Sequence, residues 1–176
     1  KNGVRLSYST GFKAPTVYEM YGQNNYGFVG NNNLIPEESK TYELGYQKNG
    51  YNFAIYRTEI DNLLKYSSNT YVNDTKISHI KGLEFDYTGD WFINKFSYNI
   101  AEDGDGKVML RRPKLVNNAK FFYNEYSLNI NYYGEHKDID ASTYARKDMS
   151  AITTVDLAYS KHINSFHIFA NLNNVF

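Results

Sequence analysis

The sequence predicts an all-β fold, an antiparallel transmembrane β-barrel segment of about nine strands. Three observations predict it. Apolar and polar residues alternate with period 2 along most of the chain, whereas spacings of three and four, the helical signature, are rare. Most alternating runs approach the length a tilted strand needs to cross a bilayer, about 9 to 11 residues. The connections between them are short and long in turn, which gives the sheet two unlike ends.

Composition fits that reading. Aromatic residues make up 17% of the 176-residue chain, with 18 Tyr and 11 Phe against one Trp, yet the mean hydropathy is −0.62. A sheet with one face in lipid and the other in a wet lumen needs both properties at once. A Tyr-rich soluble β-sandwich that binds carbohydrate would also alternate, but it has no reason to alternate its loop lengths. Nineteen basic residues balance 19 acidic ones, so no net field draws the chain to nucleic acid. The chain has no cysteine, which removes disulfides and thiolate metal sites and suits a periplasmic or surface location. No run reaches the roughly 18 apolar residues of a membrane helix.

The strands follow in order. Val4 to Ser9 opens the series. In Ser39 to Gln47, Tyr42, Leu44 and Tyr46 share one face, with Thr41, Glu43, Gly45 and Gln47 on the other. Tyr51 to Thr58 sets Tyr51, Phe53 and Ile55 against Asn52, Ala54 and Tyr56. Leu83, Phe85 and Tyr87 then oppose Gly82, Glu84 and Asp86, and Phe96, Tyr98 and Ile100 oppose Lys95, Ser97 and Asn99. Ala119 to Tyr123 is followed by Leu128, Ile130 and Tyr132 against Ser127, Asn129 and Asn131. Val155, Leu157 and Tyr159 oppose Thr154, Asp156, Ala158 and Ser160. The last run sets Phe166, Ile168, Ala170 and Leu172 against Ser165, His167 and Asn171, with Phe169 as an exception.

Short turns are expected at Lys48-Asn49-Gly50, where Asn-Gly is a hairpin signal, and at Thr88-Gly89-Asp90, Asn124-Glu125 and Lys161 to Asn164. Long polar loops are expected at Phe12 to Glu38, Asp61 to Lys76, Glu102 to Asn117 and Glu135 to Ser150. Short turns belong to the periplasmic end of an outer-membrane barrel and long loops to the extracellular end. Trp91, just after a short turn, is then expected in the periplasmic aromatic girdle. Nine strands cannot close an even-stranded barrel, and edges left open in lipid would orphan backbone groups. The chain is therefore expected to be a piece of a larger barrel, completed by a longer parent chain or by other subunits. A leader, if the protein is exported, is expected upstream of Lys1.

Several motifs carry a family resemblance. Gly11-Phe12-Lys13-Ala14-Pro15-Thr16-Val17-Tyr18-Glu19-Met20-Tyr21-Gly22 precedes Gly30-Asn31-Asn32-Asn33-Leu34-Ile35-Pro36-Glu37-Glu38-Ser39-Lys40-Thr41-Tyr42-Glu43-Leu44-Gly45. Ile60-Asp61-Asn62-Leu63-Leu64, Ile80-Lys81-Gly82-Leu83-Glu84, Leu110-Arg111-Arg112-Pro113 and Asn171-Leu172-Asn173-Asn174-Val175-Phe176 follow in the same order. Over nearly its whole length the chain resembles the barrel of TonB-dependent outer-membrane receptors. The resemblance implies a plugged barrel of about 22 strands, of which this chain supplies about strands 13 to 21. Residues 1–176 are then a partial barrel domain, without the plug, the TonB-contacting box, the early strands and the last strand, and Phe176 is a truncation point.

The resemblance also implies active uptake of a scarce nutrient, a ferric siderophore or cobalamin, across the bacterial outer membrane. Extracellular loops capture the ligand, and TonB acts through the plug, outside this segment. The implied partners are TonB, the ligand and outer-membrane lipid, with no nucleic acid and no cofactor. A porin-like or adhesin-type structural barrel is the alternative, and a plug sequence would separate the two.

Candidate ligand contacts are the loop aromatics Tyr18, Tyr21, Tyr26 and Phe28 and the cations Arg111, Arg112, Arg146 and Lys147. Stacking and charge-assisted hydrogen bonds would suit flat or anionic ligands. Tyr at a barrel rim also serves as interfacial girdle, and Arg111 and Arg112 beside Pro113 could brace the wall. Asp103-Gly104-Asp105-Gly106 looks calcium-like but lacks the remaining ligands of an EF-hand loop, so a polar turn is expected there and no metal. Haem receptors of the family carry Phe-Arg-Ala-Pro and Asn-Pro-Asn-Leu motifs with a histidine between. Here Phe12-Lys13-Ala14-Pro15 and Asn32-Asn33-Leu34 stand without that histidine, which argues against haem. His79, His136, His162 and His167 have no metal-ligand spacing, and no nucleophile–base pair suggests an enzyme.

Overall fold

The computed structural model describes residues 2–175. In chain order its elements are β1 (Gly3–Lys13), α1 (Val17–Tyr21), β2 (Glu37–Lys48), β3 (Tyr51–Asp61), β4 (Leu64–Ser67), β5 (Thr70–Asn73), β6 (Ser78–Thr88), β7 (Phe92–Glu102), β8 (Leu115–Tyr123), β9 (Tyr126–Tyr133), β10 (His136–Ile139), β11 (Arg146–Met149), β12 (Ile152–Ile163) and β13 (Phe166–Leu172). Nine of the strands form one sheet in the order β1-β2-β3-β6-β7-β8-β9-β12-β13. Each joins its predecessor in the sheet antiparallel, a meander. The other four strands form two ribbons, β4-β5 and β10-β11, outside the sheet.

All nine expected wall strands are present, and most run further toward the loops than the alternation suggests. β1 continues through Phe12 and Lys13, paired with Glu38 and Glu37. The expected first loop therefore shrinks to residues 14–36. β9 and β13, at 8 and 7 residues, fall short of the expected crossing length. The last hairpin turns at Asn164 and Ser165, so Lys161 to Ile163, read as turn, are strand. The long segments also hold regular structure that their polarity conceals: α1, β4-β5 and β10-β11. Beyond the bilayer the chain is wet on both sides, so the hydrophobic contrast that reveals a strand fades.

Register explains why one face is apolar. Leu6 lies opposite Leu44, Leu44 opposite Ile55, Ile55 opposite Leu83, and Leu83 opposite Tyr98. Leu128 faces Phe121 and Leu157, and Leu157 faces Leu172. Many large apolar side chains on this face stand exposed, Leu6, Leu44, Ile55, Leu157 and Leu172 among them, as a lipid-facing surface requires. Only Phe28, Leu34, Ala54 and Ala101 form a buried apolar set among the described residues. The wall thus draws its stability from backbone pairing and lipid, with little core of its own. Asn94 and Asn117 also point outward, and they are joined to each other: Asn94 Nδ2 donates to Asn117 Oδ1 at 3.0 Å and to the Asn118 carbonyl at 3.3 Å.

The opposite face is polar and knitted together. Asn118 Nδ2 donates to Asn129 Oδ1 at 2.7 Å, Asn129 and Asn131 each donate to Asp156 Oδ2 at 3.2 Å, and Asn131 also donates to Thr154 Oγ1. Of these, Asn118, Asn129 and Asp156 line a recess of about 390 Å³ with Lys120, Ser127 and Asn171. Phe169, the exception to the alternation, belongs to this face, beside His167 at a ring separation of 5.8 Å.

The two ends differ as the loop lengths require. At the short-turn end, Asn49 and Gly50 adopt φ of 49° and 84°, the mirror-image turn that Asn-Gly favours, while Asn124 and Asn164 take φ of 52° and 51°. Above these turns runs an aromatic chain: Tyr51 to Tyr87 at 4.7 Å, Tyr87 to Phe92 at 5.9 Å, Phe92 to Phe121 at 4.8 Å, and Trp91 stacked on Phe92 at 5.6 Å. Trp91 stands in this girdle. At the other end Tyr8 and Tyr42 meet at 5.2 Å. Among the described residues β1 and β13 each keep one unpaired edge, and the barrel is not closed.

The two faces respond differently to charge. Phe96→Lys, on the lipid face, is expected to cost about 2–4 kcal/mol, whereas Ser97→Lys, one residue on and facing Glu84 across the lumen side, stays within about 1 kcal/mol. Urea unfolding of the full-length protein in lipid, followed by Trp fluorescence, measures both. Equal costs would show that the faces are assigned wrongly.

Candidate functional site

The first loop folds on itself before it meets its neighbours. Thr16 caps α1 with a reciprocal box: its Oγ1 accepts from Glu19 N at 3.2 Å, and Glu19 Oε2 accepts from Thr16 N at 2.6 Å. This satisfies two donors the helix start would leave orphaned. The helix stops at Gly22, whose N–H donates to the Tyr18 carbonyl at 2.8 Å. A side chain at Gly22 would strike the Tyr18 carbonyl and ring at 2.5 Å. Asn24 Oδ1 then accepts from Tyr26 N and Phe28 N, turning the chain back.

That turn delivers Phe28 into an aromatic group. Phe28 is 4% exposed; Tyr18 stacks on it at 4.7 Å and 10°, while Tyr66 and Tyr71 flank it at 6.2 and 6.0 Å. Of the expected aromatic contacts, Tyr18 and Phe28 touch, with Phe28 beneath. Tyr21 and Tyr26 stand in solvent at 64% and 92% exposure. Tyr66 and Tyr71 come from the β4-β5 ribbon and were not among the expected residues. Their signal was present: Leu64-Lys65-Tyr66 and Tyr71-Val72-Asn73 flank Ser68 and Asn69, which turn with φ of 51° and 63°. Without Gly or Pro, that turn reads as loop.

Backbone and Asn side chains join the first loop to the ribbon. Asn73 Oδ1 accepts from Ile35 N at 3.0 Å and its Nδ2 donates to the Ile35 carbonyl at 2.8 Å, so one side chain acts as a strand partner. Asn31 Nδ2 donates to the Tyr71 carbonyl, and Val29 N donates to the Asn69 carbonyl at 3.1 Å.

Charge joins the ribbon to the third loop, residues 103–114. Lys65 Nζ lies 3.0 Å from Asp74 Oδ2, off the axis of a good hydrogen bond, and 3.8 Å from Asp105; Lys76 Nζ lies 2.8 Å from Asp105 Oδ1. Burial pushes the Asp74 carboxyl up. The Lys65 ammonium and the N–H groups of Lys76 and Gly104 outweigh that and hold it below the usual carboxylate value. Lys76 likewise depresses Asp105. The calcium-like run is thus a turn: Asp103 Oδ1 accepts from Asp105 N and Lys107 N, and Asp105 is held by lysines. Among the described residues no group of three or more His, Cys, Asp or Glu side chains could hold a metal.

The cations lie on the third and fourth loops, and most are engaged. Arg111, in left-handed backbone at φ 57°, donates from Nε to Asp138 Oδ1 at 2.8 Å and from its backbone N to the Lys137 carbonyl at 2.7 Å. That guanidinium depresses the Asp138 carboxyl. Arg146, on β11, donates to the Val108 carbonyl, and Lys147 lies 3.7 Å from Asp140. Asp140 is itself held far below its ordinary value by the hydroxyl and backbone N–H groups of Ser142 and Thr143. Arg112 is exposed and has no ion pair among the described residues. Arg111 and Arg146 therefore hold the third and fourth loops to one another, Lys147 ties the fourth loop to itself, and Arg112 offers the freer charge. The expected residues form two groups, aromatic on the first loop and cationic on the last two; the second loop stands between them, through Tyr66 and Tyr71 on one side and Lys65, Asp74, Lys76 and Asp105 on the other.

Comparison with known proteins agrees with this architecture. The family model described as "TonB dependent receptor-like, beta-barrel" matches residues 3–175. The vitamin B12 transporter BtuB of Vibrio cholerae serotype O1 is 30% identical over 190 aligned residues, covering 98% of this chain and 30% of that protein. Among solved structures, the ferric enterobactin receptor PfeA superposes with a TM-score of 0.73 at 18% identity, covering 98% of this chain and 33% of that one. The ferric-catecholate import receptor Fiu of E. coli gives 0.67 at 18%, over 99% and 28% of the two chains. The copper transporter OprC gives 0.63 at 12%, over 98% and 31%. The chain spans about a third of the length of these relatives. Open sheet, two unlike ends, outer apolar face and matched model agree: this chain belongs to the TonB-dependent receptors, a family of non-enzymatic transport proteins of the bacterial outer membrane, and forms part of their β-barrel.

Proposed function

We propose that this segment supplies wall and extracellular ligand-binding loops to a TonB-dependent importer of a ferric siderophore or cobalamin. The remaining strands and a plug lie in the same longer polypeptide, and TonB engages that plug. The observation that carries the reading is the tied loop assembly above a polar wall. Loops that serve only as barrel closures need no such ties, whereas a receptor gains affinity from surfaces ordered before the ligand arrives. Tyr18, Tyr21 and Tyr26 present ring faces and edges, with Phe28 supporting Tyr18 from beneath. Arg112 meets an anionic chelate directly; Arg111, Arg146 and Lys147 hold the surrounding backbone and lend charge. The vitamin B12 transporter and ferric-siderophore receptors among the relatives point to these two cargo classes.

Fluorescence quenching of the full-length receptor in detergent, titrated with cobalamin and several ferric siderophores, tests the cargo. Saturable submicromolar quenching by one of them is expected. Tyr26→Ala combined with Arg112→Gln should weaken it roughly tenfold, about 1.4 kcal/mol, while leaving the folded barrel intact on an unheated gel. Full affinity in that variant would remove these residues from the site.

The loop ties make a second expectation. Asp74→Asn removes the carboxylate held by Lys65 and should cost about 1–3 kcal/mol of local stability, read as faster hydrogen exchange through residues 62–77 and 103–107. Asp74, Asp105 and Asp138 have lowered carboxyls, so their stabilisation is complete above the ordinary value near 4 and disappears as pH falls through the lowered values. Lys65 and Lys76 are raised by Asp74 and Asp105 respectively. Their share is complete below about pH 10 and is lost as pH rises through the raised values. Exchange corrected for intrinsic pH dependence should therefore stay flat from about pH 5 to 9. A steep change inside that window would contradict the assignment.

A further inference from the structure

The lipid side of the wall carries a group of cations that the receptor reading does not use. The register builds it row by row. The row Leu6, Leu44, Ile55, Leu83 and Tyr98 is apolar throughout. The next row toward the loops reads Tyr8, Tyr42, Arg57, Lys81 and Ile100, and the one beyond it Thr10, Lys40, Glu59, His79 and Glu102. Arg57 and Lys81 are direct cross-strand partners, and Lys40 is one step diagonal from Arg57. All three are exposed.

These positions are unfavourable unless something answers the charge. Like charges directly opposite on a sheet repel, and an outward Lys or Arg facing hydrocarbon costs several kcal/mol (about 2–4 at the midplane). The residues therefore stand at headgroup level, in line with the upper tyrosines Tyr8 and Tyr42. Protein neutralises only part of the charge: Arg57 Nη2 lies 2.8 Å from Glu59 Oε1, while Lys40 and Lys81 make no ion pair among the described residues. Glu38 on β2 and Glu102 on β7 border the group, and His79 lies between Glu59 and Glu102. On β7 this row ends in Ile100, and the outward residues nearest the loops on β8, β9 and β12 are Leu115, Tyr132 and Thr153, with no cation among them. The charge is confined to three neighbouring strands.

We propose that Lys40, Arg57 and Lys81 form an outer-leaflet site for the phosphate of a lipid headgroup, flanked by Tyr8 and Tyr42. The guanidinium fork and two ammonium groups match a phosphate monoester, and the apolar row beneath receives the acyl chains. The bound lipid relieves the Arg57–Lys81 repulsion and anchors the receptor in the leaflet, whatever cargo the loops carry.

Native mass spectrometry of the full-length receptor in detergent tests this, with bisphosphorylated lipid A, its dephosphorylated counterpart of the same acylation, and inorganic phosphate as competitor. The phosphorylated lipid should bind roughly tenfold or more tighter than the dephosphorylated one. Lys40→Gln/Arg57→Gln/Lys81→Gln should abolish that preference, and Glu59→Gln should strengthen it. Millimolar phosphate should compete only weakly, because the acyl chains contribute. Equal binding of the two lipids, an unchanged preference in the triple variant, or full displacement by phosphate would overturn the proposal. Should the triple variant fail to fold, Lys81→Gln alone is expected to weaken the preference several-fold, roughly the contribution of one cation; no change there overturns it equally.

Discussion

Hydrocarbon offers no partner to a peptide N–H or carbonyl, and the rest of this structure follows from that. Every wall residue must spend its backbone groups on a neighbouring strand, so the chain runs as a meander in which each strand pairs with the next in the sheet. Antiparallel pairing then fixes which side chains share a face. The apolar set from Leu6 to Leu172 and the polar set from Asn118 to Asp156 are two consequences of one register. A slip of one residue would turn Asn129 and Asp156 to lipid and Leu128 and Leu157 to the lumen, so the pattern holds the register in place.

Exceptions obey the same constraint. Asn94 and Asn117 point outward, yet Asn94 spends its amide on the Asn117 oxygen and the Asn118 carbonyl. Arg57 and Lys81 point outward too, but at the level where the strands leave hydrocarbon. The open edges of β1 and β13 are where the constraint is unmet within this chain, and the relatives, about three times its length, show the scale on which such sheets close.

Beyond the bilayer water answers the backbone, and a different set of interactions takes over. The capping box of Thr16 and Glu19, the two-way bond of Asn73 to Ile35, and the lysine–aspartate links each tie one loop to itself or its neighbour. Most of the expected cationic residues act in this way: Arg111 and Arg146 spend their donors on the adjoining loop. The aromatic side behaves likewise, with Phe28 buried so that Tyr18 has a surface to lie on. Binding surface and loop scaffold are therefore built from the same residue types, which is why composition alone cannot sort them.

What the sequence by itself determined is the wall: nine strands, their two faces, the unlike ends and Trp91 in the lower girdle all follow from period 2 and from turn residues, because lipid on one side and water on the other makes each alternate residue declare its face. Strand ends were less legible, as at Phe12 and Lys161, since beyond the bilayer both faces are wet and alternation loses its contrast. The tertiary structure alone decided the loop contacts. Nothing local to Tyr66 or Tyr71 says that Phe28, some 40 residues earlier in the chain, will lie against them, nor that Arg111 will meet Asp138. It also decided that Arg57 and Lys81 stand side by side, for their adjacency depends on how two strands are paired, and neither strand's sequence contains that information.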